Sequence, residues 1–226
     1  MIILIGGEKG GTGKSTLACN LAALRASEGN DVLLVDTDPQ GSAAGWAAVR
    51  SAQENLPRVP CVQIFGKTLG NELRDLQRRY TDIVVDAGGR DSIELRAALV
   101  VAQKAYIPIT PSQFDIWTLK KMDEIVSLAH GLNPELQAFI LMSRAATNPF
   151  VKGGEQENAT EVFEQYESLR PATSIFYERI SYRVCAVEGR SVAELGVVNL
   201  KAVQDLKAIY SEVFANGQVH TTASIR

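Results

Sequence analysis

The segment Gly6–Thr16, GGEKGGTGKST, follows directly on the apolar run Met1–Ile5 and narrows the folds open to this chain more than any other feature. A strand that feeds a glycine-rich loop opening a helix aims backbone N–H groups and the positive end of the helix dipole at one spot, and such a spot binds phosphate. Gly10, Gly11 and Gly13 let the backbone close around an anion without Cβ clashes. Lys14 reaches the outer phosphates, and the Ser15 hydroxyl is placed to ligate Mg²⁺. The expected nucleotide contacts are therefore Gly10, Gly11, Thr12, Gly13, Lys14, Ser15 and Thr16.

Further apolar runs recur at Val32–Val35, Val62–Phe65, Ile83–Val85, Ala105–Ile109 and Ala138–Met142, with helical segments between them. Near-continuous apolar strands alternating with helices predict an α/β fold of the P-loop NTPase type: a single domain with a mostly parallel twisted sheet and helices on both faces. Helices are expected over Lys14–Glu28, Ala43–Ser51, Leu69–Arg79 and Ile93–Ala102. Another follows Pro111, where Ile116, Leu119, Met122 and Ile125 form a core or dimer-seam stripe. Beyond Met142 the expectations are a loop over Thr147–Gln156, a helix over Thr160–Leu169, a short strand near Ala172–Phe176 and a helix over Asn199–Phe214. The domain is placed at residues 1–215 and a frayed tail at 216–226.

Ligands of open α/β sheets bind at the carboxyl ends of the strands. Asp86 closes the run Ile83–Val85 as a Walker B aspartate does, where a carboxylate completes the oxygen shell of Mg²⁺ together with Ser15. Gly88 and Gly89 behind it let the backbone approach the terminal phosphate. Asp36, Asp38, Pro39 and Gln40 follow the run Val32–Val35. A carboxylate beside Mg²⁺ and a triphosphate stays ionised.

Lys9 stands five positions before Lys14, where the plain reading is a solvated surface lysine and two lysines in one short loop call for a further explanation. KGGTGKST together with DTDPQ after the next strand resembles the ParA/MinD family of deviant Walker A ATPases. The likeness is strongest to the small ParA-type plasmid partition ATPases that lack an N-terminal helix-turn-helix domain. The resemblance implies ATP and Mg²⁺ as cofactors and a homodimer formed around ATP, in which Lys9 reaches the partner's nucleotide. It makes Lys9, Lys14 and Asp38 the catalytic residues, with Ser15, Asp36 and Asp86 at the metal, Asp36 supporting from behind. Arg144, after Met142 and Ser143, falls where the family often reads the adenine base.

The resemblance further implies a dimer that binds DNA nonspecifically through backbone phosphates. Candidate contacts are Lys120 and Lys121, and the group Arg170, Arg179, Arg183 and Arg190. A ParB-like centromere-binding protein or a cargo adaptor would stimulate hydrolysis, and the protein would be cytoplasmic and nucleoid-associated. The leading expectation is plasmid partition. The same engine could position a protein cargo such as a chemotaxis cluster or carboxysome, or aid conjugative DNA transfer. An ATP-dependent metabolic ligase is the alternative of another class.

Composition sets limits on this. A formal charge of -3 gives no global attraction to nucleic acid or membranes, so any such contact is a local patch. Cys19, Cys61 and Cys185 form no CxxC pair, which speaks against a zinc site or a disulfide framework. No apolar run is long enough to span a bilayer, and the end GQVHTTASIR offers no basic amphipathic anchor, so no membrane partner is expected.

Overall fold

The computed structural model describes residues 1–111, 113–145, 163, 165–196 and 200–214. Seven strands, β1 (Ile2–Gly7), β2 (Val32–Asp36), β3 (Cys61–Gln63), β4 (Asp82–Gly89), β5 (Lys104–Ile109), β6 (Gln137–Ala145) and β7 (Arg170–Tyr177), form one sheet in the order β3-β2-β4-β1-β5-β6-β7. Every pairing is parallel, so all carboxyl ends share one rim. The helices are α1 (Lys14–Ser27), α2 (Ser42–Ser51), α3 (Leu69–Leu76), α4 (Ile93–Leu99), α5 (Gln113–His130), α6 (Ile180–Val187) and α7 (Leu200–Phe214), with a short 3-10 turn at Val192–Glu194.

The strands are apolar along their whole length because both faces are covered. One core layer takes Ile2, Leu4 and Val85 from the sheet and packs them on Leu73 of α3, Leu95 of α4 and Met122 of α5. The other takes Ile3, Ile5 and Leu34 and packs them on Leu17 and Leu21 of α1, Trp46 of α2, Cys185 of α6 and Leu206 of α7. Leu119, Met122 and Ile125 are buried, which makes the α5 stripe a core face; the side chain of Ile116 lies outside those described.

Several boundaries differ from the sequence expectation for local reasons. β4 runs on through Ala87–Gly89 because Gly89 still pairs with Gly7 across a register shift in β1. β3 starts at Cys61 rather than Val62, since Leu34 N donates to Pro60 O and fixes that register. α4 stops at Leu99, short of Ala102, where the Asn133 amide donates to the Leu99 and Ala102 carbonyls and caps the helix end. Helix α6 was not expected at all: read as a sequence, Phe176–Arg190 is notable for its arginines. The loop over Thr147–Gln156, residues 160–162 and 164, and the tail from Asn216 lie outside the described residues, and the helix expected over Thr160–Leu169 does not extend to its end, since residues 165–169 form turn and bend.

Candidate functional site

β1 delivers its chain to the rim beside β4, and α1 leaves from the same point. Gly11 and Gly13 have φ of 75° and 88°, the left-handed region that only glycine enters without strain. α1 has no side-chain cap and no acidic residue in its first turn, so its leading N–H groups remain available to an anion. The loop rests on Gly89: a Cβ there would stand 2.6 Å from both N and Cα of Gly10 and 2.8 Å from the carbonyl carbon of Lys9. On its other side Ser143 Oγ donates to Thr12 O at 2.6 Å, and a Cβ on Gly13 would meet the Phe176 ring at 3.1 Å. The cradle is thus gripped between the ends of β4, β6 and β7.

Lys14 is buried, and its Nζ donates to the Lys9 carbonyl at 2.5 Å. Burial lowers its pKa, while the fields of Asp86 and Asp38 oppose the shift, which places both carboxylates near the amine. Asp86 is 1% exposed, and neither of its oxygens has a hydrogen-bond partner among the described residues. Burial pushes its pKa up to about 7, although the nearby Ser15 hydroxyl and Lys14 favour the charged form. An isolated buried carboxylate is costly. A divalent cation between Asp86 and the Ser15 hydroxyl would remove that cost, so the donor set fits Mg²⁺, a hard cation that takes oxygen ligands.

Asp36 pairs with Asp86 across β2 and β4 and is fully buried. Its Oδ1 accepts from Asp38 N at 3.0 Å and its Oδ2 from Ala44 N at 2.9 Å, so it braces the turn between β2 and α2. Thr37 ties the same turn to β4, donating N–H and Oγ1 to Asp86 O at 2.9 and 3.1 Å. Asp38 Oδ1 accepts from Gln40 N at 3.0 Å, and a Cβ on Gly88 would stand 3.1 Å from Asp38 Oδ2. The Asp36–Gln40 turn and the end of β4 at Asp86–Gly88 are therefore in direct contact.

Lys9 is exposed at the loop tip with Gly10 and Gly11. Its neighbour Glu8 pairs with Lys121 of α5, whose Nζ also lies 3.8 Å from Asp91 Oδ2. Asp91 in turn takes Arg96 Nε at 2.7 Å. Lys121, a DNA candidate in the sequence, is thus paired within the molecule while still exposed, as is its neighbour Lys120.

A cavity of about 240 Å³ opens beside Gly13 and Thr16, walled by Arg144, Phe176, Tyr182 and Arg183. Phe176 and Tyr182 meet edge to face at 4.6 Å between ring centres. Arg144 has a φ of 53°, unusual for a non-glycine residue, and its Nε lies 3.4 Å from Glu178. Arg183 reaches the same Glu178 at 3.2 Å. Arg179 is only 13% exposed and held at 2.6 Å by Asp205, and Arg190 pairs with Glu188 at 3.4 Å. Arg170, at the start of β7, is exposed.

Phosphate-side residues named from sequence thus converge on one rim. Those the sequence missed are Thr37, Ser143, Phe176 and Tyr182. The only local signal for Ser143 was its place at the end of an apolar run; the aromatic pair gave none.

The family model for the CobQ/CobB/MinD/ParA nucleotide binding domain matches residues 3–194. "Maintenance of carboxysome distribution protein A" of Halothiobacillus neapolitanus is 27% identical over 206 residues, 91% of this chain and 92% of that protein. "Chromosome-partitioning ATPase Soj" of Thermus thermophilus is 53% identical over 167 residues, 60% of this chain and 65% of that protein. Among solved structures, an ATP complex of Cyanothece McdA superposes with a TM-score of 0.73 at 19% identity, covering 96% of this chain and 97% of that one.

Proposed function

The chain belongs to the CobQ/CobB/MinD/ParA nucleotide-binding family, and from that premise we propose that it is an ATP hydrolase whose nucleotide state times its attachment to DNA, in the service of partitioning a DNA molecule. The observation that carries the reading is the orphaned Asp86 carboxylate, buried beside Ser15 and Lys14 at the mouth of the glycine loop.

Gly10–Gly13 and the start of α1 hold the phosphates through backbone N–H groups, and Lys14 neutralises the outer oxygens. Ser15 and Asp86 would hold Mg²⁺, with Asp36 fixing the turn behind them. When bound, the cation screens the charge that builds on the phosphate oxygens during transfer. Asp38, placed against Gly88, orients the attacking water. Lys9, exposed at the loop tip, reaches the nucleotide of a second copy facing the first. The Phe176 and Tyr182 cavity takes the base.

The Thermus relative named for chromosome partitioning supports a DNA cargo. The carboxysome-distribution relative, which aligns over 91% of this chain, favours a second reading in which the same switch positions a protein assembly. No described helix is long and apolar enough to cross a membrane.

A filter or mobility assay of random-sequence DNA, with and without ATP and across a salt series, tests the proposal. Binding is expected only with ATP, indifferent to sequence and falling steeply with salt, and Lys9→Ala should abolish it while leaving the melting temperature unchanged. Binding that ignores nucleotide, or survives Lys9→Ala, would overturn it.

A further inference from the structure

Helix α2 begins just after the Asp38–Gln40 turn and carries the chain about 15 Å away, at 1.5 Å per residue. Both of its ends are fastened. At the start, Ala44 N donates to Asp36, Gly41 N donates to Asp38 O at 2.9 Å, and Gln40 N donates to Asp38 Oδ1 at 3.0 Å. The start of α2 and the Asp38 turn are therefore joined to one another, with Asp36 at the end of β2 as their shared anchor.

At the far end Arg50, 2% exposed, sends Nη1 and Nη2 to the two oxygens of Glu194 at 2.9 and 2.8 Å. Its Nη1 also donates to Gly189 O at 3.1 Å and its Nε to Pro57 O at 2.9 Å. One turn earlier, Trp46 Nε1 donates to Arg190 O at 3.2 Å. Gly189 has a φ of 64°, and a Cβ there would stand 2.5 Å from Arg50 N, so the two backbones touch. A buried bidentate pair fixes distance and angle together and is not screened by salt.

The segment that Arg50 grips is the continuation of α6, closed onto it by Arg190 N donating to Cys185 O at 2.9 Å. α6 supplies Tyr182, Arg183 and Ala186 to the cavity beside Gly13. Ala186 also walls a second cavity of about 300 Å³, which Ser15 and Thr16 line from α1 and Trp46 and Val49 from α2. One short helix thus borders the nucleoside cavity and is bolted to the helix that carries the Asp38 turn.

We propose that Arg50 is a positioning residue: through its pair with Glu194 it makes the placement of the Asp38 carboxylate depend on whether the Phe176 and Tyr182 cavity holds the nucleoside half of the nucleotide. The inference rests on the ATPase reading above. A ligand that fills the cavity sets α6, the clamp passes that setting to α2 as a rigid-body movement, and Asp38 comes into line for water. A triphosphate without a nucleoside fills the cradle but leaves α6 unset, and it is turned over slowly.

The test compares kcat and KM for Mg-ATP and for Mg-tripolyphosphate in the full chain, in Glu194→Gln, and in the double variant Arg50→Met with Glu194→Met, which leaves no buried charge unpaired and keeps the fold if the single change does not. In the unaltered protein kcat for ATP should exceed that for tripolyphosphate at least tenfold. In whichever variants remain folded by their melting curves, that excess should shrink to within about threefold. The ATP rate should drop towards the tripolyphosphate rate, with KM for ATP within twofold. The inference is overturned if the excess persists in a folded variant, if the two rates fall in parallel, if KM alone moves, or if the unaltered protein treats both substrates alike. An unaltered protein that turns over no ATP defeats the ATPase reading itself, and is recognised before any variant is made.

Discussion

The phosphate side of the cleft and its nucleoside side are built in opposite ways. On the phosphate side, the acting groups stand within a few residues of the ends of β1, β2 and β4 and are mostly charged, and among the described residues neither oxygen of Asp86 has a hydrogen-bond partner. On the nucleoside side, β6, β7 and α6 contribute aromatic rings and arginines whose charges are already paired with Glu178 or Asp205. The first region is poised to take up a cation and an anion; the second offers shape. Affinity for phosphate should therefore be fragile to single atoms, and recognition of the base should be tolerant.

The sharpest way to break this contrast is Gly89→Ala. The added carbon would collide with backbone at Gly10, which has no side chain to swing aside. Displacing the loop should weaken ATP binding by at least about a hundredfold, as loss of a preorganised anion site does, measured by calorimetric titration. Ordinary affinity in that variant would mean that the cradle is softer than its packing implies.

A second test uses pH, because the Asp86 carboxylate on the phosphate side and the Arg50–Glu194 clamp behind the cleft respond with opposite signs. The Asp86 pKa stands near 7 in the folded chain against about 3.9 unfolded. The folded state holds the proton longer, so this group favours folding at low pH, and that contribution is lost as pH rises from about 4 to about 7. Glu194 goes the other way: burial alone would raise its pKa, but Arg50 and the Ser191 N–H outweigh that and hold it below the usual range. Its contribution is present above the unfolded pKa and vanishes as pH falls through the folded one. Without nucleotide or metal, Asp86→Asn should therefore raise the melting temperature at pH 8 and leave it unchanged at pH 4. Glu194→Gln should lower stability by about 3 kcal/mol at pH 7, the cost of stranding a buried arginine. Two variants with the same pH profile would remove the distinction.

The smallest expected effect lies on the nucleoside side. Tyr182 donates its hydroxyl to Ala202 O at 3.2 Å, and Tyr182→Phe should cost about 1 kcal/mol of stability. KM for ATP should change no more than threefold, as read in a steady-state assay. A tenfold change would show that base recognition uses the hydroxyl and not the ring alone.

The same contrast explains what could be read before any coordinates. GGTGKST, the DTDPQ turn and Asp86 were legible because phosphate chemistry is concentrated in contiguous residues at strand ends. The apolar runs likewise gave the parallel sheet. α6 and the Phe176–Tyr182 pair were not legible: the helix is short, with Ile180, Val184 and Val187 exposed, so no amphipathic stripe marks it. Nor could spacing reveal that Arg50 meets Glu194, since the pairing spans 144 positions and depends on how α6 turns back towards α2. Lys121 likewise stands beside Glu8 and Asp91, an ion pairing that no sequence spacing announced.

Because all seven strands run the same way, everything reactive gathers on one rim, and the turn before β6 lies on the other. Pro134 and Glu135 in that turn are exposed, while the Asn133 amide is needed to cap α4. A fluorescent label or affinity handle inserted between Pro134 and Glu135 would sit at the far pole from the glycine loop, giving a microscopist a tracer that leaves the opposite rim of the sheet untouched.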